Sequence, residues 1–444
     1  LEYKPHVIIV VYNFCAMPLR LHRRSSQRRV ASSITWPAAL SSTVILWRIA
    51  SQSWVAMRRP SCTVHTRTGK TAQQAEPLAQ ASAKLSIEVS AAGDWLDLVS
   101  PALALVAGAA VVSQLKAAID GPPEFTLEPG SLQDRIILVT GGSAGLGFAA
   151  ATRLAAAGAT VVITARTTIK AETAQAALRT ASGSMDVHGL VLDLADLSSV
   201  RAFVDDYSRQ PYGGRIDVLL NNAGVMAVPE LRRTEDGFEQ QIGVNHLGHF
   251  ALTGLLLPML AKARSYARVI NVSSLAHRLA DTSGIRFGLK DGGARVPSSY
   301  SPWVSYSLSK FANVMFAREL NRRFDKAGFK ATAVSLHPGI CATDLARYVV
   351  SGEDKSMEAI YARFAAPVQG AMQVMKTWLR PVERGVNTHV FLAAGADGGY
   401  ACSGGQYFED MRCAEAHAGV EDVALAERLW DQSERLTGIQ YDFK

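Results

Sequence analysis

Short runs of β-branched and aliphatic residues alternate with longer Ala- and Leu-rich stretches from Arg135 onward. Short apolar runs bounded by turn residues predict buried strands, and the longer stretches between them predict helices. The strand-like runs are IILVT (136–140), TVVIT (160–164), VHGLVL (187–192), IDVLLN (216–221), RVINVS (268–273) and TAVSLH (332–337). Because strands that are apolar on both faces need helices on both faces, the pattern predicts an α/β fold with a doubly wound parallel sheet.

The chain divides into an N-terminal extension (1–90), an apolar segment with a linker (91–133) and a single domain (134–444). Basic charge is concentrated in the extension, since residues 3–75 contain 11 Lys and Arg and no acid. The rest of the chain carries 35 bases against 39 acids, although the formal net charge of the whole is +7. The main domain therefore gives no reason to expect a nucleic-acid partner. The five cysteines are scattered without a CxxC pair, which predicts no metal site and a reducing compartment.

The extension is rich in Arg, Ser and Thr, as in LHRRSSQRRVASS. Acid-poor, positively charged sequences of this kind are typical of transit peptides for plastids and mitochondria. A second interpretation is a translated leader or a disordered tail, with Met17 or Met57 as the first residue. Both interpretations keep residues 1–90 out of the folded core.

An uncharged stretch of 18 residues, LVSPALALVAGAAVVSQL (98–115), lies between Asp97 and Lys116. At about 1.5 Å per residue, a helix of this length could just cross a hydrocarbon layer of about 30 Å. The stretch is nevertheless rich in Ala and Gly and contains Pro101. Membrane association through 98–115, a helix packed on the body of the protein and a cleaved signal all fit this pattern.

A glycine-rich turn, TGGSAGLG (140–147), follows the first predicted strand directly and precedes a predicted helix. Glycines allow the tight turn and the close backbone approach that a pyrophosphate requires, and the helix N-terminus supplies N–H groups and a favourable dipole. The cofactor contacts expected from this turn are Gly141, Ser143, Gly145, Leu146 and Gly147. A glycine turn between strand and helix indicates a Rossmann-type sheet that binds a dinucleotide.

The second strand ends at Arg166, where an enzyme that uses NAD would favour an acid to accept the ribose hydroxyls. Arginine instead offers charge and a planar face to a 2′-phosphate, which favours NADP(H). A solvated arginine beside an NAD site is the alternative. The further cofactor contacts expected, after the third and fourth strands, are Asp193, Leu194, Asn221, Ala223 and Gly224. The sequence is equally consistent with two roles for Asn222, a structural tie between strands and a contact with the ligand.

Candidate catalytic residues follow the fifth strand. Ser273 and Ser274 end this strand, and Tyr306-Ser-Leu-Ser-Lys310 lies at the start of a predicted helix. Tyr and Lys at positions i and i+4 share one helix face, so the ammonium can favour the phenolate and make it an effective base. A serine hydroxyl opposite can hold the substrate oxygen as charge develops on it. Together with the glycine turn, these residues predict hydride transfer between a nicotinamide cofactor and an alcohol/carbonyl pair.

Taken together, these motifs resemble the short-chain dehydrogenase/reductase superfamily over residues 134–444. Within it, the chain is most similar to the retinol dehydrogenase-like branch, which includes WW-domain-containing oxidoreductase and plant chloroplast homologues. The similarity rests on GFEQQIGVNHLGHFALT, RVINVSSLAH, YSLSKFANVMFARELNRR, SLHPGICATDL and SGGQYFEDMR. The chloroplast homologues favour the chloroplast over the mitochondrion as the destination of the transit peptide.

The resemblance implies a role for each residue of the site. Tyr306 would be the catalytic acid and base, with Lys310 as its partner and a ligand of the nicotinamide ribose, and Ser274 would orient the substrate. Asn245 would hold a helix and a water that relays protons to Lys310. The residues expected at the carboxamide end of the cofactor are Pro338, Gly339 and Thr343. The residues expected to be structural are His277, His337 and Cys341.

The segment after Thr343 is expected to close over the substrate. One helical stripe in this segment is apolar: Met357, Ile360, Tyr361, Phe364 and Val368. The stripe favours a small lipophilic alcohol, aldehyde or ketone as the substrate. The stripe is equally consistent with packing on the body of the protein or on a second subunit of a homo-oligomer.

Three classes of function fit these motifs. The first is an NADP(H)-dependent oxidoreductase that interconverts an alcohol and a carbonyl. The second is a light-dependent protochlorophyllide reductase, for which the 31 residues between Ser274 and Tyr306 look too few. The third is a non-enzymatic NADPH sensor at a membrane, against which the complete set of catalytic residues argues.

Overall fold

The structure is a computed structural model that describes residues 101–282, 300–341, 376–395 and 404–443, with isolated positions at 343, 345, 370, 373 and 374. The predicted transit peptide over 1–90 and the apolar stripe between Met357 and Val368 lie outside the described residues.

All six apolar runs form strands of one sheet. The strands are β1 Ile136–Val139, β2 Thr160–Ala165, β3 Val187–Val191, β4 Val218–Asn221, β5 Ala267–Val272, β6 Ala331–His337, β7 Tyr407–Glu409 and β8 Arg412–Cys413. Their order is β3-β2-β1-β4-β5-β6-β7-β8. The neighbours from β3 to β7 pair in parallel, and β8 adds an antiparallel edge to β7. The predicted α/β class with a doubly wound, Rossmann-type sheet is confirmed, and the short strands β7 and β8 are additions that the pattern did not predict.

The strand order reverses between β1 and β4. In open parallel sheets, such a reversal leaves a crevice at the carboxyl ends of the two central strands, and ligands bind there. The register pairs Val139 of β1 with Leu220 of β4. The glycine turn after β1 and the NNAG loop after β4 therefore leave the sheet side by side.

Helices connect and cover the strands. They are α1 Pro101–Asp120, α2 Gly145–Ala156, α3 Thr168–Ser182, α4 Leu197–Arg209, α5 Gln240–Ile242, α6 Gly248–Leu255, α7 Leu257–Leu260, α8 Pro302–Ala327, α9 Val382–Gly385, α10 Asn387–Ala394 and α11 Val423–Thr437. A π-helical turn, Gly243–Leu247, joins α5 to α6 without a break. A 3₁₀ turn, Leu275–Leu279, follows β5.

The core has two layers because alternate strand residues are buried on opposite faces of the sheet. Ile137 and Val139 of β1 belong to the core shared with α2, α3 and α10. Leu138, which lies between them, belongs to the core shared with α4, α6, α8 and α11. Each of these side chains is fully buried, which contributes about 1.5–3 kcal/mol per residue to folding. The two layers hold the strand ends, and hence the loops of the crevice, in place.

The last turns of α1 are exposed. Val111, Val112 and Leu115 are 56%, 50% and 54% exposed. Within the part of the chain that the structure describes, no helix combines the length and apolar character needed to span a bilayer. Membrane association through 98–115 stays a prediction.

The predicted linker after α1 lies on the body of the protein. The Asn387 side chain accepts the N–H of Phe125 at 2.9 Å and donates to the Pro123 carbonyl at 2.8 Å. The Phe125 ring packs edge-to-face on Phe391, with ring centroids 5.6 Å apart. Leu132 is buried in the core. Residues of the predicted linker therefore pack on the domain that the sequence pattern begins at residue 134.

Replacing Phe125 by Ala should lower the free energy of unfolding by about 1–3 kcal/mol, because it removes a half-buried ring and its aromatic contact. Leu115→Ala is the matched control, since this side chain is exposed and its truncation should cost less than about 0.5 kcal/mol. Urea denaturation followed by tryptophan fluorescence measures both. Equal losses would show that the linker adds nothing to the packing.

Candidate active site

The glycine turn after β1 passes the loop after β4 at a distance that excludes side chains. A Cβ on Gly147 would lie 2.5 Å from the Gly141 carbonyl oxygen and 2.5 Å from the Asn222 amide nitrogen. Gly141 and Gly145 also have positive φ angles, 66° and 55°, which glycine adopts without steric cost. These positions therefore require glycine for the turn itself.

The same turn fits the pyrophosphate of a dinucleotide. α2 begins at Gly145, and its N-cap residue, Ala144, makes no side-chain hydrogen bond to the first turn. The first N–H groups of a helix have no partner within it, and the helix dipole favours an anion there. Ser143 and Leu146 lie half-buried beside these groups. The residues present therefore match the expected cofactor.

The residues expected at the adenosine end share one edge of the sheet. The register pairs Ala165 at the end of β2 with Val191 at the end of β3, so Arg166 and Asp193 leave the sheet at the same edge. Arg166 is exposed, and Asp193 is half-buried. The Asp193 carboxylate accepts the N–H of Ala195 at 2.9 Å, which fixes the turn. Leu194 is buried beside it.

The NNAG loop uses its two asparagines to hold the sheet. The Asn221 amide donates to Thr253 Oγ1 at 3.1 Å and to Asn271 Oδ1 at 2.8 Å. The Asn222 amide donates to the Thr140 carbonyl at 2.9 Å, which supports a structural tie between β4 and β1 for this residue. A Cβ on Gly141 would lie 3.0 Å from Ala223, so the loop backbone borders the glycine turn, where the cofactor contact is expected.

Tyr306 and Lys310 lie one turn apart on α8 and are 2% and 3% exposed. The Lys310 Nζ atom lies 5.8 Å from the centre of the Tyr306 ring and donates to the Val272 carbonyl at 3.1 Å. Burial lowers the pKa of Lys310 to about 8. An ammonium group next to a phenol favours the phenolate, so the pair can exchange a proton near neutral pH.

Two further contacts join the other predicted catalytic residues to this pair. The Ser273 hydroxyl donates to the Lys310 carbonyl at 2.7 Å, which holds the end of β5, including Ser274, against α8. The Ser274 Oγ accepts the N–H of Ala276 at 3.3 Å, so its own proton is left for another acceptor. The Asn245 amide donates to Ser309 Oγ at 2.9 Å. The four predicted catalytic residues are therefore placed around one end of α8.

The Pro338-Gly339 loop after β6 is held by a buried arginine. Gly339 has a φ of 88°, and the Arg380 guanidinium donates to the Pro338 carbonyl at 3.2 Å and to Asp410 at 2.6 Å. The same group donates to the carbonyl of Ile119, the residue before the end of α1, at 3.0 Å. Thr343 lies over the glycine turn, since a Cβ on Gly145 would lie 3.5 Å from it. The predicted carboxamide contacts thus border the predicted pyrophosphate contacts.

Beside the site, the structure places His277 and Cys341 as structural residues, whereas both ring nitrogens of His337 are buried without a hydrogen-bond partner among the described residues, so its structural role stays a prediction. His277 Nδ1 donates to the Ser274 carbonyl at 2.6 Å, and its Nε2 accepts the N–H of His417 at 3.2 Å. Burial lowers the pKa of His277 to about 4 and that of His337 to about 3. Burial also raises the pKa of Cys341 to about 12, which makes it a poor nucleophile.

Sequence reasoning missed Thr140, His249 and Arg380. The Thr140 hydroxyl contacts the NNAG loop and His249, and Arg380 supports the Pro338-Gly339 loop. Thr140 could have been found from the sequence, because it is the first residue of the glycine motif. Nothing in the pattern signalled the other two, because their roles arise from contacts between distant segments.

The comparisons with known proteins agree with this architecture. The profile of the short chain dehydrogenase family matches residues 135–285. Retinol dehydrogenase 14 of Homo sapiens is 35% identical over 328 residues, which cover 70% of this chain and 89% of the human protein. Polyprenol dehydrogenase of Mus musculus is 35% identical over 324 residues, which cover 71% and 87%. The crystal structure of an uncharacterized protein from Mycobacterium paratuberculosis has a TM-score of 0.52 and 33% identity, covering 72% of this chain and 99% of that one.

Identity at this level over most of a relative's length shows the family as well as the fold. The chain therefore belongs to the short-chain dehydrogenase/reductase superfamily of oxidoreductases. Within the superfamily it belongs to the retinol dehydrogenase-like branch. The resemblance drawn from the sequence motifs is confirmed at both levels.

The protein should lose stability as the pH falls from about 7 to about 4. Burial lowers the pKa of five histidines to about 3 or 4: His246, His249, His277, His337 and His389. An unfolded histidine has a pKa of about 6.5, so below that pH the unfolded chain takes up protons that the folded chain cannot. Each group should therefore cost about 2 kcal/mol at pH 5 relative to pH 7.

Denaturant titrations at pH 7, 6 and 5 measure this dependence. The variant His389→Leu removes one fully buried titrating group, and the fall in stability between pH 7 and pH 5 should be about 2 kcal/mol smaller in it. A stability that does not change over this range would contradict the prediction.

Proposed function

We propose that the protein is an NADP(H)-dependent oxidoreductase that interconverts an alcohol and a carbonyl on a lipophilic substrate, as in the retinol dehydrogenase-like enzymes. The observation that carries this proposal is the buried Tyr306–Lys310 pair, with the ammonium 5.8 Å from the ring centre. A phenol and an ammonium buried together are suited to proton transfer. The same end of α8 meets the end of β5, where Ser274 lies, and the loop after β4.

A bound nicotinamide supplies the hydride for reduction or accepts it in oxidation. In reduction, the Tyr306 hydroxyl donates its proton to the substrate oxygen and becomes a phenolate, which the Lys310 ammonium stabilises. In oxidation, the phenolate takes the proton of the substrate hydroxyl. The Ser274 hydroxyl, whose oxygen already accepts the N–H of Ala276, donates to the substrate oxygen and holds it beside Tyr306.

The preference for NADP(H) rests on Arg166. This side chain is exposed directly after β2, at the edge where the adenosine ribose is expected. A guanidinium favours a 2′-phosphate through a charge-assisted hydrogen bond of about 1.5–3 kcal/mol. Thr167, the N-cap of α3, and Thr168, its first residue, follow and offer hydroxyl groups to the same phosphate.

The proposal of a lipophilic substrate has two supports. The relatives include enzymes named for retinol and for polyprenol, both of which are long apolar alcohols. Exposed apolar side chains also flank the segment that is expected to cover the substrate, with Ile340 at 58% and Trp378 at 39% exposure. These side chains offer an apolar surface beside the site.

The remaining proposals concern the setting of the enzyme. The acid-free composition of residues 3–75 supports import into an organelle, and the resemblance to chloroplast homologues favours the chloroplast over the mitochondrion. Association with a membrane through 98–115 and assembly into a homo-oligomer are further proposals. The protochlorophyllide reductase and the NADPH sensor are the alternatives that the experiment below distinguishes.

Replacing Tyr306 by Phe should lower kcat for reduction of hydrophobic aldehydes and ketones by about 10²–10⁴-fold, because the proton donor is lost. The Kd of NADPH should be nearly unchanged, since the ring remains. The matched control is Tyr207→Phe in α4, which removes a hydroxyl bonded to the Arg215 carbonyl at 2.9 Å, away from the site. Oxidation of NADPH, followed by absorbance against a panel that includes retinal and decanal, measures the effect.

Each alternative predicts a different result in this experiment. Binding of NADPH without turnover of any substrate would favour the sensor. Pigment that copurifies, together with light-dependent reduction, would favour the reductase. A Tyr306→Phe variant that keeps more than about a tenth of wild-type kcat would contradict the assigned acid–base role.

NADPH should bind at least about tenfold more tightly than NADH, which corresponds to about 1.4 kcal/mol. Arg166→Asp should reverse this preference, because a carboxylate repels the phosphate and accepts the ribose hydroxyls. Arg209→Asp is the charge-matched control, since this arginine is exposed at the end of α4 and should leave the ratio unchanged. Titrations of both cofactors give the Kd values, and an unchanged ratio in Arg166→Asp would remove Arg166 from the cofactor site.

A further inference from the structure

A buried histidine that the proposed mechanism does not use lies between the glycine turn and Asn245. His249, in the first turn of α6, is 1% exposed. Its Nε2 atom lies 2.8 Å from Thr140 Oγ1, and its Nδ1 atom lies 3.1 Å from the Asn245 carbonyl oxygen. The ring therefore joins the end of β1 to the π-helical turn Gly243–Leu247.

The partners of His249 fix the position of its proton. A peptide carbonyl can only accept a hydrogen bond, so Nδ1 donates to Asn245. Burial lowers the pKa of His249 to about 4, so the ring is neutral at pH 7 and Nε2 carries no proton. The Thr140 hydroxyl, which lies 3.4 Å from the Leu220 carbonyl oxygen and 2.8 Å from Nε2, then donates to Nε2, the nearer acceptor.

The Thr140 hydroxyl extends this connection to the loop after β4. With its proton given to His249, Oγ1 accepts the N–H of Asn222 at 2.9 Å and that of Ala223 at 3.0 Å. One donated and two accepted bonds are the full capacity of a hydroxyl group. A directional chain of hydrogen bonds therefore runs from these two amides through Thr140 and His249 to the Asn245 carbonyl.

The Asn245 side chain is bound to the same loop. Its Oδ1 accepts the N–H of Val225 at 2.8 Å, and its Nδ2 donates to the Val225 carbonyl at 3.0 Å. A Cβ on Gly224 would lie 3.4 Å from Lys310 Nζ, so this loop also borders the catalytic ammonium. Both the side chain and the carbonyl of Asn245 are thus oriented by residues 222–225.

We propose that His249 is a positioning residue that fixes the Asn245 carbonyl and couples it to the loop expected to border the cofactor ribose. A carbonyl oxygen has two lone pairs. His249 occupies one of them and so sets the direction of this carbonyl, and the proton relay expected through Asn245 to Lys310 depends on that direction. This inference rests on the proposed function, because the relay matters only if Tyr306 and Lys310 transfer protons.

Three substitutions separate the two hydrogen bonds of the ring. His249→Asn keeps a donor at the position of Nδ1, His249→Gln keeps a polar group at the position of Nε2, and His249→Phe keeps only a ring. We expect kcat of His249→Asn to stay within about threefold of wild type and kcat of the other two to fall about tenfold or more, because small displacements of catalytic groups are costly. The Kd of NADPH should stay within about threefold in all three variants, since Thr140 keeps its bonds to the loop.

Two results would overturn the proposal: equal kcat in the three variants, or a loss in His249→Asn as large as in His249→Phe. A wild-type protein without turnover would instead count against the proposed function. NMR of the wild-type protein labelled with ¹⁵N-histidine tests the inference without activity or substitution. The Nδ1–H tautomer is expected for His249, and the Nε2–H tautomer would overturn the proposal.

Discussion

The turn after β1 and the loop after β4 cross at a distance that favours glycine, since a Cβ on Gly141 would lie 3.0 Å from the Ala223 Cα atom and a Cβ on Gly147 would lie 2.5 Å from the Asn222 side-chain nitrogen. This crossing brings the Thr140 hydroxyl within hydrogen-bonding distance of two amides of the loop. The loop, so placed, holds Asn245 and borders Lys310. The binding half and the catalytic half of the site are therefore built on the same backbone contact, and a larger residue in the turn would displace both.

The electrostatic design of the site follows from burial. Lys310 is almost completely buried, and its ammonium donates to the Val272 carbonyl. Burial brings its pKa down to about 8, so the group is still charged at neutral pH but is close to releasing its proton. The ring of His249, which is close enough to interact electrostatically with Lys310, stays neutral because burial lowers its pKa to about 4. The cation next to Tyr306 therefore has a neutral imidazole near it rather than a second cation at that position.

The six long strands could be predicted because each is a continuous apolar run, and the glycine turn, Tyr306 and Lys310 could be found because their spacing is local. β7 and β8 escaped prediction because they have three and two residues, which is too short for a periodic signal. The packing of Phe125 on Phe391 joins positions far apart in the chain, and no local pattern encodes it. His249 could not be predicted for the same reason. The sequence places it one turn after Asn245, which its Nδ1 atom contacts, but only the fold brings Thr140 to its Nε2 atom.

Arg380 supports the Pro338-Gly339 loop and also joins the two ends of the segment that follows this loop. Its backbone N–H donates to the Ile340 carbonyl at 2.9 Å, and its guanidinium reaches Pro338 and Asp410. The two ends of the intervening segment, residues 341–379, are therefore fixed to each other and to the sheet whatever that segment contains. The stretch between Thr343, which lies over the glycine turn, and Arg380 can therefore be exchanged between homologues as a cassette without displacing the Pro338-Gly339 loop.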